Sequence, residues 1–276
     1  MTAELPRPAR RTVARVETKR RLGPDAQVDD KAMIIGPDAP RLTDPFLVLS
    51  EDWFSSPGFE WHPHRGVETV TTVLDGVLEH GDNAGHAGAL EPGDVQWMTA
   101  GRGIIHRELA YRNEHAHTLQ LWVNMPASAK LADTRYQDIR AAARPVSTAG
   151  GVRIDVISGP PAAGRGVPGP AVSHWPVSGA LLTLEPAAAL DYALLAAGQI
   201  AWSGPAGPPG ESSVLAVSAA PDQDQVTTIM LYSGQPIGEP VVLGGPFVMN
   251  TQAEIAAAFA DFQRGAFGPV PRMMRL

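Results

Sequence analysis

Short apolar runs closed by turn signals repeat along most of the 276-residue chain. Positions 46–49, 67–74, 77–80, 95–98, 104–106 and 119–123 are β-branched or aromatic runs. Asp75-Gly76, Asp82-Asn83, Pro92-Gly93-Asp94 and Gly101-Arg102-Gly103 punctuate them. Pro followed by Gly suits the centre of a type II turn, because Gly tolerates positive φ there. Evenly spaced short strands joined by such turns predict a β-sandwich or barrel. A second set at 152–157, 181–184, 192–195, 200–202, 214–217 and 227–232 predicts another, and 12–16 reads as a further strand.

Between the two sets, 128–140 is polar and reads as helical or irregular, and 143–151 (ARPVSTAGG) has the composition of a linker. The expected organisation is therefore one domain over 1–143 and a second over 151–276. Leu90-Glu91-Pro92-Gly93 is echoed by Leu184-Glu185-Pro186-Ala187, a short sign of duplication. One helix is predicted near the end. Thr251-Gln252-Ala253-Glu254 has the form of a capping box, Ile255, Phe259 and Phe262 follow at helical spacing, and Gly265 can stop the helix.

Composition narrows the function. Hydrophobic content of 44% with 18% charged residues is enough for a sizeable core, and 28 Gly with 26 Pro agrees with many tight turns. A net charge of −7 gives no electrostatic case for direct nucleic-acid binding. Residues 1–21 carry Arg7, Arg10, Arg11, Arg15, Lys19, Arg20 and Arg21, an arm read as a solvated lead-in ahead of a partner-binding one. The absence of cysteine excludes disulfides, thiolate metal sites and cysteine nucleophiles, and fits a cytoplasmic protein. No apolar run reaches the ~18 residues that span a bilayer, and the first residues lack the apolar stretch of a secretory signal.

Seven of the eight histidines fall between His62 and His117. Two pairs stand out: His62 with His64, and His106 with Glu108. Residues two apart on a strand share a face, so two converging strand ends would aim three imidazoles and a carboxylate at one point. Such donors suit borderline divalent transition metals. The plainer alternatives are a turn with two surface histidines, and a satisfied histidine beside a salt-bridged glutamate. Glu68 competes as a ligand, with a supporting role or an ion pair to Arg65 or Arg102 as its alternative. His80, His86, His115 and His117 lie in or beside turns and read as non-ligands, with His80 a candidate pocket residue.

These residues carry a family resemblance. Asp44-Pro45-Phe46-Leu47, HPHRGVETVT (62–71), PGDVQWMTAGRGIIHRE (92–108), LQLWVNMP (119–126), RYQDI (135–139) and GPFVMNT (245–251) resemble the pirin family of the cupin superfamily. The resemblance implies an all-β chain of two tandem cupin (jelly-roll) barrels with a short C-terminal helix. It implies a single mononuclear metal, usually iron, in the first barrel, held by His62, His64, His106 and Glu108. It also implies that Glu68 is not a ligand. Some pirins resemble quercetin 2,3-dioxygenase in activity, and others act as transcriptional cofactors or bind metabolic enzymes. The leading expectation is an Fe(2+) dioxygenase acting with O2 on a chelating enol or flavonol, with Glu108 as ligand and base. The rival is a redox-dependent regulatory protein that binds a protein partner. By strand alternation, Trp61 and Arg107 should point away from the metal.

Overall fold

A computed structural model describes residues 9–10, 13–55, 58–160, 166–186, 189–190, 199–203, 213–214, 217–218 and 225–271. The chain forms two compact units. One is drawn from Arg20–Pro145, Val156–Ala180 and Tyr232–Leu276, the other from Met1–Lys19, Val146–Asp155 and Leu181–Leu231.

The first unit is built mainly on two antiparallel sheets, beside the two-stranded pair Val242–Gly244 and Phe247–Met249. The larger has seven strands in the order Arg135–Ile139, Val95–Thr99, Val67–Gly76, Ala116–Asn124, Phe46–Phe54, Asp30–Ile35, Arg20–Arg21. The smaller has four, in the order Phe59–His64, Ile104–Ala110, Leu78–Asp82, Ala87–Leu90. Within 128–140, expected to be helical or irregular, Arg135–Ile139 is instead a strand paired with Val95–Thr99. The alternation of Tyr136 and Asp138 with Gln137 suits a strand, and the edge place on the sheet tolerates its polarity.

The inward positions follow a repeated plan. Val67, Thr69, Thr71 and Val73 alternate along one strand; Ile104, His106, Glu108 and Ala110 along another; Ala116, Thr118, Gln120 and Trp122 along a third. Apolar residues occupy the strand ends and polar residues the middle. One end is closed by a cluster of Val28, Phe54, Val73, Leu78, Leu90, Ala110 and Ala116, the other by Leu47, Val67, Met98, Ala100, Ile104 and Val248. Burial of each Val, Leu, Ile, Phe or Met side chain in these clusters contributes on the order of 1.5–3 kcal/mol. That stabilisation supports a polar belt which would be unfavourable by itself.

Several turns behave as their residues demand. Gly93, after Pro92, has φ +88°, and Asp94 accepts from the Glu91 N–H to close the loop. Gly66 has φ +71°, and an added Cβ would lie 2.1 Å from the Val248 carbonyl oxygen, so only glycine fits between the strand of His62 and His64 and the next.

The C-terminal helix is Gln252–Gln263. The Glu254 N–H donates to the Thr251 hydroxyl, and the Asn250 N–H donates back to the Glu254 carboxylate at 3.1 Å. Gly265, at φ +78°, follows the C-cap Arg264.

In the second unit, Val146 to Ala149 pair with Asp155 to Val152 across a Gly150-Gly151 turn. Part of the stretch with linker composition is thus a hairpin strand. Val13–Thr18 pairs antiparallel with Gln199–Ser203. The strand expected at 192–195 lies outside the described residues.

Candidate metal centre

Register brings the sequence pairs together. His106 is directly opposite His62, and Ile104 opposite His64, in the antiparallel pairing of their strands. The ring centroids of His62 and His106 lie 4.3 Å apart, and His64 is 4.9 Å from each. One ring nitrogen from each residue falls within 4.8 Å of the others, and this is the metal-spaced group found among the described residues.

The outer nitrogens are fixed by hydrogen bonds. His62 Nδ1 donates to the Glu60 carbonyl at 2.7 Å, and His64 Nδ1 to the Pro246 carbonyl at 3.1 Å. His106 Nδ1 lies 2.9 Å from His80 Nε2. This leaves Nε2 of each ligand candidate facing the cluster. Nε2 of His64 and of His106 are buried and have no protein partner. An orphaned buried polar atom costs ~1–3 kcal/mol, and two aimed at one point in a three-imidazole set fit a divalent transition metal. Burial holds the rings neutral: it depresses His62, pushes His64 down to about 3, and holds His106 well below the usual imidazole range. Neutral imidazole is the form that binds metal.

Glu108 is on the same face two residues from His106, but does not join the group of three. Its carboxylate oxygens accept from the Thr71 hydroxyl at 2.8 Å and from Gln120 Nε2 at 2.7 Å. Trp122 Nε1 donates to Gln120 Oε1 at 3.2 Å and so fixes which end of the amide faces Glu108. Desolvation pushes the Glu108 carboxyl up to about 7, opposed by those two bonds and aided by the nearby Asp52 charge.

Glu68 is on the other face of its strand. It accepts from Trp97, Thr99, Ser173 and both the backbone and ring of His174. The ion pair with Arg65 or Arg102, one alternative for Glu68, does not form. Arg65 bonds Asp261 and the Arg102 carbonyl, while Arg102 pairs with Asp133. The one-residue offset from Thr69 decides this, since it turns Glu68 out of the barrel.

His80 also departs from the reading of a histidine at a turn. It is a fully buried strand residue directly opposite Glu108. His86 is half exposed and bonded to Asp82, and His117 stacks on Trp53. Trp61 and Arg107 turn outward as alternation requires: the guanidinium sits 5.1 Å from the Trp61 ring and donates to Glu79 at 2.8 Å. Thr71 and Gln120 lie within the family-like blocks 62–71 and 119–126, but the sequence assigned them no role. Their signal was a polar residue at an inward mid-strand position between apolar ones.

The C-terminal residues brace the ligand strand. Besides the Pro246 contact, Arg65 donates to Asp261 of the helix at 2.7 Å and lies over Phe267. Lys130 Nζ donates to the Gly66 carbonyl at 2.7 Å and to Asn124 Oδ1 at 2.6 Å, and its burial pushes the ammonium down to about 7.

The Pirin family profile matches residues 34–123, and the profile of the Pirin C-terminal cupin domain matches 180–268. The fold and the histidine cluster thus define a protein of two tandem cupin domains with a short C-terminal helix, the cluster lying in the first. The chain is 40% identical to Pirin-like protein 2 of Arabidopsis thaliana, covering 83% of this chain and 77% of that one. It is 37% identical to human Pirin, covering 85% and 86%. A crystal structure of quercetin 2,3-dioxygenase from Acinetobacter baumannii superposes with a TM-score of 0.77 at 27% identity, covering 95% of this chain and all of that one. The chain belongs to the pirin family.

Proposed function

We propose that this protein is a mononuclear metal-dependent dioxygenase of the quercetin 2,3-dioxygenase type, working in the cytoplasm on a metal-chelating enol or flavonol and O2. His62, His64 and His106 hold the ion, assigned as Fe(2+), with Glu108 as fourth ligand. The observation that carries this is the set of three neutral, pre-oriented imidazoles, two of them with an orphaned buried Nε2, beside a buried carboxyl. The similarity to a quercetin 2,3-dioxygenase structure supports the reaction class. When bound, the metal supplies Lewis acidity and one-electron chemistry.

The protein's part is positioning and proton handling. Glu108 accepts the hydroxyl proton of the substrate. Thr71 and Gln120 hold the carboxyl in place before and after transfer. The apolar clusters at both ends of the belt limit water, which strengthens these polar contacts. The test is metal analysis followed by an aerobic quercetin assay of wild type and His62→Ala. The expected result is metal and turnover in wild type, with both lost in the variant. Equal turnover in the two would sink the assignment.

A regulatory reading has its own support. His64 bonds the Pro246 carbonyl ahead of the C-terminal helix, and its neighbour Arg65 bonds Asp261 on that helix, so the end of the ligand strand is tied to it. A change in charge at the centre would alter that helix and its affinity for a protein partner. Hydrogen exchange of residues 252–263 that is identical with and without metal would count against it.

A further inference from the structure

The geometry points to His80 as the residue that selects the metal-binding tautomer of His106. This inference rests on the histidine cluster being a metal centre, and adds a residue outside that cluster. His80 Nε2 and His106 Nδ1 are 2.9 Å apart, and one hydrogen lies between them. The far nitrogens, His80 Nδ1 and His106 Nε2, are both buried without partners. Two neutral imidazoles carry two N–H groups, so the second hydrogen sits on one far nitrogen or the other.

In one arrangement His80 donates, and His106 Nε2 carries a hydrogen that points into the cluster and blocks a cation. In the other, His106 donates to His80 Nε2, the hydrogen moves to His80 Nδ1, and His106 Nε2 presents its lone pair. The two differ by a concerted shift of two hydrogens, with no net gain or loss of protons. His62 and His64 are locked by backbone carbonyls, which only accept, so their Nε2 atoms always face the cluster unprotonated. His106 alone has a partner that can play either part. A cation at the centre selects the second arrangement, and His80 is its acceptor. His80 is a positioning residue: it supplies the acceptor that turns the His106 lone pair to the metal.

The test uses the full chain with Zn(II). Chelator-competition titrations compare wild type, His80→Phe, which fills the space without an acceptor, and His80→Gln, whose side-chain oxygen can accept from His106 Nδ1. The expected result is an affinity loss of roughly 10–100-fold for His80→Phe and recovery of most of it in His80→Gln. Unchanged affinity in His80→Phe, or equal loss in both variants, would overturn the role. Nitrogen-15 NMR of histidine-labelled wild type needs no variant to fold: Zn(II) should drive His80 to its Nδ1–H form. A His80 that keeps hydrogen on Nε2 in the zinc-loaded protein refutes the inference. Wild type that binds no Zn(II) instead removes the metal-centre reading beneath it.

Discussion

Replacing Glu108 by Gln separates folding from chemistry in one position. In the metal-free protein the carboxyl is raised to about 7 from an ordinary 4.5. Below pH 4.5 it is protonated whether the chain is folded or not. Between 4.5 and 7 the unfolded chain releases the proton while the folded one keeps it, so stability falls as pH rises through that window. The gap corresponds to roughly 3 kcal/mol, lost by wild type between about pH 4.5 and 7. A glutamine has no such loss. Its side-chain oxygen can accept from Gln120 Nε2, which Trp122 holds in that orientation. Its amide nitrogen then faces the Thr71 hydroxyl, which can accept, so the neutral glutamine copies the hydrogen bonds of the protonated carboxyl. The variant should therefore match wild type near pH 5 and exceed it at pH 8. Urea denaturation of chelator-treated protein at pH 5, 6, 7 and 8 reads this directly. A stability difference that does not change with pH would refute the raised carboxyl. Turnover of quercetin should fall by ~10²–10⁴-fold in the same variant, and full turnover would remove Glu108 as the base.

Other perturbations probe the frame around the centre. Gly66→Ala combines positive φ with a Cβ 2.1 Å from the Val248 carbonyl oxygen, so it should cost more than ~2 kcal/mol and weaken metal binding, as read by melting and Zn(II) titration. For Lys130→Met, the unfolded lysine keeps its proton to about 10.5 while the folded one releases it at about 7, so wild type gains stability as pH rises between them; the variant's deficit should widen from pH 7 to 9, and a constant deficit contradicts the buried neutral amine. Arg107→Ala leaves buried Glu79 unpaired and should destabilise by roughly 3–5 kcal/mol while Zn(II) affinity stays unchanged; a large affinity loss would mean that the side chain serves the metal after all.

Much of the centre was legible because strand periodicity is rigid. H-x-H at 62–64 and His106 at the same parity of its strand need only adjacent, in-register strands to converge, and the pairing of His106 with His62 supplies that. The same parity argument turned Trp61 and Arg107 outward. The capping box before residue 252 was readable because its bonds close within four residues.

The rest depended on partners distant in the chain. Glu68 carries the same carboxylate as Glu108, and its burial against Ser173 and His174, over 100 residues away, has no local signature. Nor does the Pro246 carbonyl that orients His64 from 182 residues away. The sequence by itself determined the donor types, the strand parity and the turns, since these follow from covalent geometry and local sterics. Tertiary structure decided which nitrogen of each ring is free, which carboxylate stands beside the imidazoles, and what His80 does. Those are properties of hydrogen-bond partners and desolvation, which exist only once the sheets have packed. The i, i+2 pairs brought three imidazoles together, burial held them neutral, and their hydrogen-bond partners oriented them.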